Sequence, residues 1–250
     1  ALKGIDHAIK TIWLAAHRSA RRTYDVWIYS DHGQETVQSY KALHGRSVQE
    51  AVAETLADHG IRHEATEVGP DQMVLRRAGM FGSRLLQKLL RKPSEARYVV
   101  PAAVAAMGPV GHLYVEADMT DEQRNAVAAD LIQKAHIPLV MAAYPDGTVT
   151  AWTAGGTFKL PDDAMHVLGR QHPFLHEVAE DLADLVRHPE AGEFVISGWR
   201  PEGPPVSFPI EHGAHAGPGW EETHGFALLP KDVPIPLRHG RYIRPLDLRH

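Results

Sequence analysis

The sequence predicts a mixed α/β fold in which helices flank a central sheet. Two segments, residues 47–59 and 120–135, begin with a capping box and continue as helices, the first of them with a clear apolar stripe. Short runs rich in β-branched and aromatic residues lie between and after these helices, bounded by glycine, proline and aspartate. Because helical and strand-like segments alternate along the chain, an α/β architecture is favoured.

The composition is that of a globular protein. The 250 residues are 44% hydrophobic and 23% charged, which excludes a wholly disordered, collagen-like or coiled-coil chain. The 26 Lys and Arg residues and 31 Asp and Glu residues give a net charge of −5, so we do not expect the protein to coat nucleic acid. There is no cysteine, so any metal site must use carboxylates and some of the 17 histidines.

In the first part of the chain we expect a helix from Leu2, a buried strand at residues 24–29 (YDVWIY) and a helix capped by Ser47 and Glu50. Residues 80–90 predict a further helix among basic side chains. Such a segment can contact anionic lipid or phosphate, although a solvent-exposed helix face is the interpretation we favour. The basic residues are Arg76, Arg77, Arg84, Lys88, Arg91, Lys92 and Arg97.

Residues 98–115 contain no Asp, Glu, Lys or Arg, yet proline and glycine interrupt them, so we expect a loop leading into a strand at 111–115 rather than a membrane span. Thr120 and Gln123 form the second capping box. The remaining segments are two strands joined by a turn at 145–147, a helix from Pro173 to His188, two later strands and an irregular Gly/His loop. The predicted strands are residues 138–143, 148–153, 193–197 and 226–229, and the loop is residues 209–218.

Asp31, His32 and Gly33 follow the first predicted strand, and they are the first candidate site. A turn can direct an acid and an imidazole to one place, and Gly33 lets the backbone bend sharply. One carboxylate oxygen and one ring nitrogen make half of a divalent metal site. The second candidate is the glycine-rich segment that carries His212, His215 and His224, because glycine gives the backbone freedom to direct imidazoles to a shared point.

Other polar groups are weaker candidates. His172 and His176 are four residues apart at a predicted helix start. They could form a metal-binding face, but we favour a solvent-exposed helix N-terminus. Glu221 and Glu222 are expected to be a solvent-exposed acidic pair, with orientation of a ligand imidazole as the alternative. The sequence contains no G-x-S-x-G, G-x-G-x-x-G or Walker motif, and the run at 176–180 (HEVAE) lacks the second histidine of a zinc protease.

Taken in order, these motifs resemble the alkaline phosphatase superfamily, and in particular its type I phosphodiesterases and nucleotide pyrophosphatases. The run S-D-H-G-Q at residues 30–34 is similar to the S-D-H-G segment of that family, and residues 4–9 (GIDHAI) are similar to the helix before it. The run G-A-H-A-G at 213–217, followed by Glu222 and Thr223, resembles the late histidine loop of related phosphotransferases. The resemblance extends from about Leu2 to Leu246.

The resemblance implies hydrolysis of small-molecule phosphate esters by two divalent metal ions, zinc in the first instance and manganese as the alternative. It implies that Asp31 and His32 bind the first ion and that His215 binds the second. His212 is the alternative to His215, and His224 is a third option.

The resemblance also implies that part of the site lies upstream of Ala1, where the family has its Thr or Ser nucleophile and an Asp-x-x-x-His motif. We therefore expect residues 1–250 to be the C-terminal part of one alkaline-phosphatase-like catalytic domain, with a sheet incomplete at both ends and an insertion at about 39–108. The full-length protein is expected to be active and this chain alone inactive. Sulfate-ester hydrolysis and phosphomutase chemistry are alternatives, as is a non-catalytic metal-binding or membrane-surface module.

Overall fold

The computed structural model describes residues 2–61, 102–115, 118–235, 237–238 and 241–248. The chain divides into two compact units, which are described separately. Unit 1 consists of residues 1–33 and 224–250, and unit 2 consists of residues 34–223. The predicted helix at 80–90 and its basic neighbours lie outside the described residues.

Unit 1 joins the two ends of the chain. Helix α1 spans Leu2–His17, as predicted, and none of its residues is buried. Strand β1 (Ile28–Tyr29) pairs antiparallel with β12 (Ala227–Leu228), and a 3-10 turn follows at Pro245–Leu248. The prediction of a buried strand at 24–29 is wrong in its length and burial, because Tyr29 is 56% exposed and the partner strand is only two residues long.

Unit 2 contains a six-stranded sheet in which every pairing is antiparallel, with the order β4-β5-β9-β6-β7-β8. The chain is therefore mixed α/β, as predicted. The strands are β4 (Ala102–Met107), β5 (Val110–Val115), β6 (Leu139–Ala143), β7 (Val149–Thr153), β8 (Gly156–Leu160) and β9 (Phe194–Ser197).

Helices cover both faces of this sheet. Helices α3 (Val48–Asp58) and α4 (Asp121–Gln133) contribute to one core, and α5 (Ala164–Leu168) and α6 (Leu175–Arg187) contribute to the other. Along β6 the side chains alternate between these cores, because successive residues of a strand point to opposite faces. Leu139 and Met141 belong to the α5–α6 core, whereas Val140 and Ala142 belong to the α3–α4 core.

Both predicted capping boxes are present. The Ser47 side chain accepts a hydrogen bond from the Glu50 backbone, the Thr120 side chain accepts one from Gln123, and both reciprocal bonds form. The loop predicted before residue 111 is wrong, because Ala102–Met107 is the strand β4 and forms a hairpin with β5. The predicted helix at 173–188 begins two residues later, at Leu175. Within the described residues, no helix has both the length and the hydropathy needed to span a lipid bilayer.

Shorter elements of unit 2 attach residues 34–44 to the later part of the chain. Strand β2 (Glu35–Thr36) pairs antiparallel with β11 (Gly213–Ala214), and β3 (Gln38–Ser39) pairs parallel with β10 (Val206–Ser207). Helix α2 (Tyr40–His44) follows β3 directly. The β2–β11 pairing fixes the Gly/His loop itself, and the β3–β10 pairing fixes the segment just before the loop.

Candidate functional site

The turn Asp31-His32-Gly33 follows β1, and hydrogen bonds fix Ser30, the residue just before it. The Ser30 N–H donates to the Phe226 carbonyl at 3.0 Å, and the Phe226 N–H donates to Ser30 Oγ at 2.9 Å. The chain then turns so that the Asp31 and His32 side chains lie together, as the sequence predicts. Asp31 Oδ1 accepts from the His32 N–H at 3.0 Å, and His32 Nε2 lies 3.6 Å from Asp31 Oδ2.

The hydrogen bonding of His32 suits a metal ligand. Nδ1 lies 2.5 Å from the Gly33 carbonyl oxygen, and because a carbonyl can only accept, Nδ1 carries the proton. In the neutral imidazole, Nε2 then has the lone pair, and Nε2 is the ring nitrogen close to Asp31 Oδ2. Metal-binding histidines commonly donate their other ring N–H to a backbone carbonyl in this way.

The spacing of the two atoms suits a metal as well. Two ligands on a tetrahedral zinc ion, each about 2.1 Å from it, are about 3.4 Å apart. The observed 3.6 Å between His32 Nε2 and Asp31 Oδ2 is close to this value. The pair supplies two ligands. Among the described residues, no group of three or more His, Asp or Glu side chains has the geometry to hold a metal ion.

Glu222, whose side chain is buried, fixes the end of the Gly/His loop. Its carboxylate accepts hydrogen bonds from the Gly217 N–H and the Gly219 N–H, both at 2.8 Å. The expectation of a solvent-exposed pair at 221–222 is therefore wrong for Glu222, which is only 4% exposed. Burial is offset by these two backbone donors, so the carboxylate fixes the chain on either side of Pro218.

A second carboxylate lies close to Glu222. Glu35 Oε2 accepts from the Glu221 N–H at 2.8 Å. A Cβ atom on Gly219 would lie 2.6 Å from both Glu35 Oε2 and Glu222 Oε1, so a larger residue here would make these carboxylates shift. Burial raises the pKa of Glu222. The bonds from Gly217 and Gly219 oppose this rise, Glu35 adds to it and His215 opposes it. Sequence reasoning missed Glu35, because its partners are more than 180 residues away in the chain.

His172 supports the same loop. Its Nε2 donates to the Pro218 carbonyl at 2.7 Å, and its Nδ1 accepts from the Phe174 N–H at 3.2 Å. The prediction that His172 is solvent-exposed is wrong, since the residue is 7% exposed and the loop covers it. A histidine three residues before a helix gave no sequence signal for this role.

His215 is exposed and lies near enough to Glu222 to affect its pKa. The loop comes close to the β4–β5 turn here, because a Cβ on Gly108, at φ +61°, would lie 2.8 Å from the His215 carbonyl oxygen. His212 is also exposed, and its carbonyl accepts from the Val37 N–H at 3.1 Å. Asp31, His32 and His224 belong to unit 1, whereas His212 and His215 belong to unit 2.

Comparison with known proteins assigns no family to this chain. The sequence matches no family profile and no curated protein, and no solved structure matches the chain.

Proposed function

We propose that the full-length protein is a metal-dependent phosphoric ester hydrolase with an alkaline-phosphatase-like sheet, and that this chain supplies part of a two-metal site. The observation that carries the proposal is the Asp31–His32 pair. One carboxylate oxygen and one ring nitrogen lie 3.6 Å apart, a separation compatible with binding one tetrahedral ion, and the Gly33 carbonyl sets the tautomer of His32.

In this proposal Asp31 and His32 bind one ion. His215 binds the other, with His212 as the alternative and His224 as the third option. The ions are zinc, or manganese in its place. When bound, the two ions stabilise the attacking and leaving oxygens of phosphoryl transfer. The proposal assigns the nucleophile to the sequence upstream of Ala1, and the substrate class is a small-molecule phosphate ester.

The residues of this chain then have separable tasks. Asp31 offsets the charge of the ion, and the carbonyl of Gly33 holds the ring of His32 in the binding orientation. Glu222 orders the glycine-rich loop that carries His215, through its bonds to Gly217 and Gly219. Since Asp31, His32 and His215 are exposed, replacing them is not expected to disturb the packing of the fold.

The test is metal content and hydrolysis of bis-p-nitrophenyl phosphate and p-nitrophenyl phosphate by the full-length protein. We expect two equivalents of zinc or manganese, and a loss of at least about 100-fold in rate for Asp31→Asn, His32→Ala and His215→Ala. Asp25→Asn and His7→Ala, which change exposed residues of unit 1, are matched controls and are expected to retain metal and rate.

A wild-type rate and metal content in Asp31→Asn and His32→Ala would remove that pair from the site. Metal binding without hydrolysis of either ester would favour the non-catalytic metal-binding module instead. Binding to anionic vesicles without metal would favour the membrane-surface module.

A further inference from the structure

The side chains of Tyr40, His44 and Arg46 contact the turn that ends α4. The His44 ring, at the end of α2, stacks on the His136 ring with centroids 5.1 Å apart and planes 21° apart. The Tyr40 ring contacts His44 with centroids 4.6 Å apart, and the Tyr40 hydroxyl donates to the Ala135 carbonyl. Helix α2 is thereby fixed to the α4 turn, and the two imidazoles are held side by side.

Two arginines lie near enough to His44 to affect its pKa, and hydrogen bonds hold both of them in place. Arg46 donates from Nη2 to the Lys134 carbonyl at 3.0 Å and pairs through Nη1 with Glu54. Arg200 donates from Nε to the Pro204 carbonyl at 2.7 Å and from Nη2 to Gln38 Oε1 at 2.8 Å. Because these bonds leave each guanidinium with further N–H donors in a fixed position, little conformational entropy would be lost on binding a ligand.

The electrostatic surroundings of His44 are positive. Burial lowers the pKa of His44, and His136, Arg46 and Arg200 lower it further. Glu54 pairs with Arg46, and Asp58 and Asp130 pair with Lys134. In the part of the chain that the structure describes, no carboxylate forms an ion pair with Arg200, His44 or His136.

The backbone at His136 is a separate observation. His136 has φ +52°, in the left-handed region that favours glycine or asparagine at the end of a helix. Backbone strain of this kind is often found at functional sites. The His136 side chain stacks on His44 at this position, a contact that glycine could not make.

We propose that His44, His136, Arg46 and Arg200 form a binding site for a phosphate-class oxyanion. The guanidiniums of Arg46 and Arg200 lie close enough to the stacked imidazoles to affect His44, and their N–H donors and positive charge suit an oxyanion that accepts several hydrogen bonds better than a single carboxylate does. This site goes beyond the proposed hydrolase function, since it uses neither metal ions nor the proposed metal ligands.

The test uses the full chain in the presence of EDTA, so its outcome is independent of the metal-site proposal. Inorganic phosphate, sulfate, phenyl phosphate and acetate are titrated at about pH 6 while the imidazole Cε1–Hε1 NMR signals are followed. We expect phosphate and sulfate to shift the His44 and His136 signals saturably, and acetate to bind at least about tenfold more weakly. If phenyl phosphate binds as tightly as inorganic phosphate, the ligand is identified as a phosphate ester. If inorganic phosphate binds more tightly, the ligand is identified as the free ion.

Two variants and a control complete the experiment. His136→Gly and Arg200→Gln are expected to weaken phosphate binding about tenfold each, while His136→Gly leaves the thermal midpoint unchanged or higher. His166→Ala, which removes an exposed imidazole stacked on Phe158, is expected to leave phosphate affinity unchanged. The proposal is overturned if phosphate and sulfate leave both signals in place, if acetate binds as tightly as phosphate, or if both variants bind phosphate as the wild type does.

Discussion

Glu222 is a buried acid that acts on the backbone of its own loop. Its two oxygens accept from Gly217 and Gly219, and a second acid, Glu35, lies on the other side of Gly219. The loop conformation around His215 therefore depends on a side chain whose ionised form is disfavoured by burial. Any role for His215 consequently depends on Glu222.

We predict that Glu222 makes folding stability fall as pH rises from mildly acidic values. The pKa of the folded-state carboxyl is raised above 4.5, so the folded protein binds its proton more tightly than the unfolded chain. Protonated Glu222 contributes its full stabilisation below pH 4.5. This contribution is lost as the pH rises through the pKa of Glu222 in the folded protein. Urea unfolding from pH 4 to pH 8 should show this loss, and Glu222→Gln should abolish it. Glu221→Gln, at the exposed neighbouring position, is the control. An identical pH profile in Glu222→Gln would contradict the assignment.

The contact between Asp31 and His32 was predictable from the sequence, because its geometry is local. Asp31 and His32 are neighbours in a turn, so their side chains could be expected to lie together. The burial of Glu222 was not predictable, because it depends on the β4–β5 turn and on Glu35, both far away in sequence. The stack of His44 on His136 also joins distant segments and leaves no local pattern.

At the scale of single elements, helix starts were predicted best. Both capping boxes need only two side chains three residues apart, so the sequence contains the whole motif. The β1 strand was predicted too long, because an aromatic and β-branched run forms a strand only where a partner strand pairs with it. Strand β8 and helix α5 were not predicted, since each is only five residues long and carries little periodicity.

We predict that Thr120→Ala lowers the free energy of unfolding by about 1 kcal/mol, because the N–H of Gln123 loses its acceptor at the start of α4. Thr120→Asp keeps a side-chain oxygen at the N-cap and should stay close to wild type. Urea denaturation of both variants measures the difference. Equal stability of Thr120→Ala and the wild type would show that this cap contributes nothing measurable.

At the scale of the whole molecule, sheet order and strand direction could not be predicted from the sequence. Strand β9 pairs with both β5 and β6, although some 80 residues of chain separate it from β5. Both faces of β6 and β9 are buried, a pattern more typical of parallel sheets. Here it arises because helices cover both faces of an antiparallel sheet.

Gly198 joins this sheet to the segment that leads into the Gly/His loop. Its N–H donates to the Pro109 carbonyl, its carbonyl accepts from Val206, and a Cβ atom would lie 1.7 Å from the Val206 carbonyl oxygen. We predict that Gly198→Ala lowers the free energy of unfolding by at least about 3 kcal/mol. At Gly155 the nearest atom to a Cβ is 3.5 Å away, so Gly155→Ala should change stability by less than about 0.5 kcal/mol. Similar thermal midpoints for the two variants would contradict this packing.

The pairing of β1 with β12 has a consequence for the order of events during synthesis. Residues 1–33 leave the ribosome before unit 2, but the strand that pairs with β1 is made only after residue 226. All residues of unit 2 are synthesised before then, and those that have left the ribosome can begin folding cotranslationally. A ribosome stalled between residues 223 and 226 would therefore hold a nascent chain whose amino-terminal segment still awaits its partner strand.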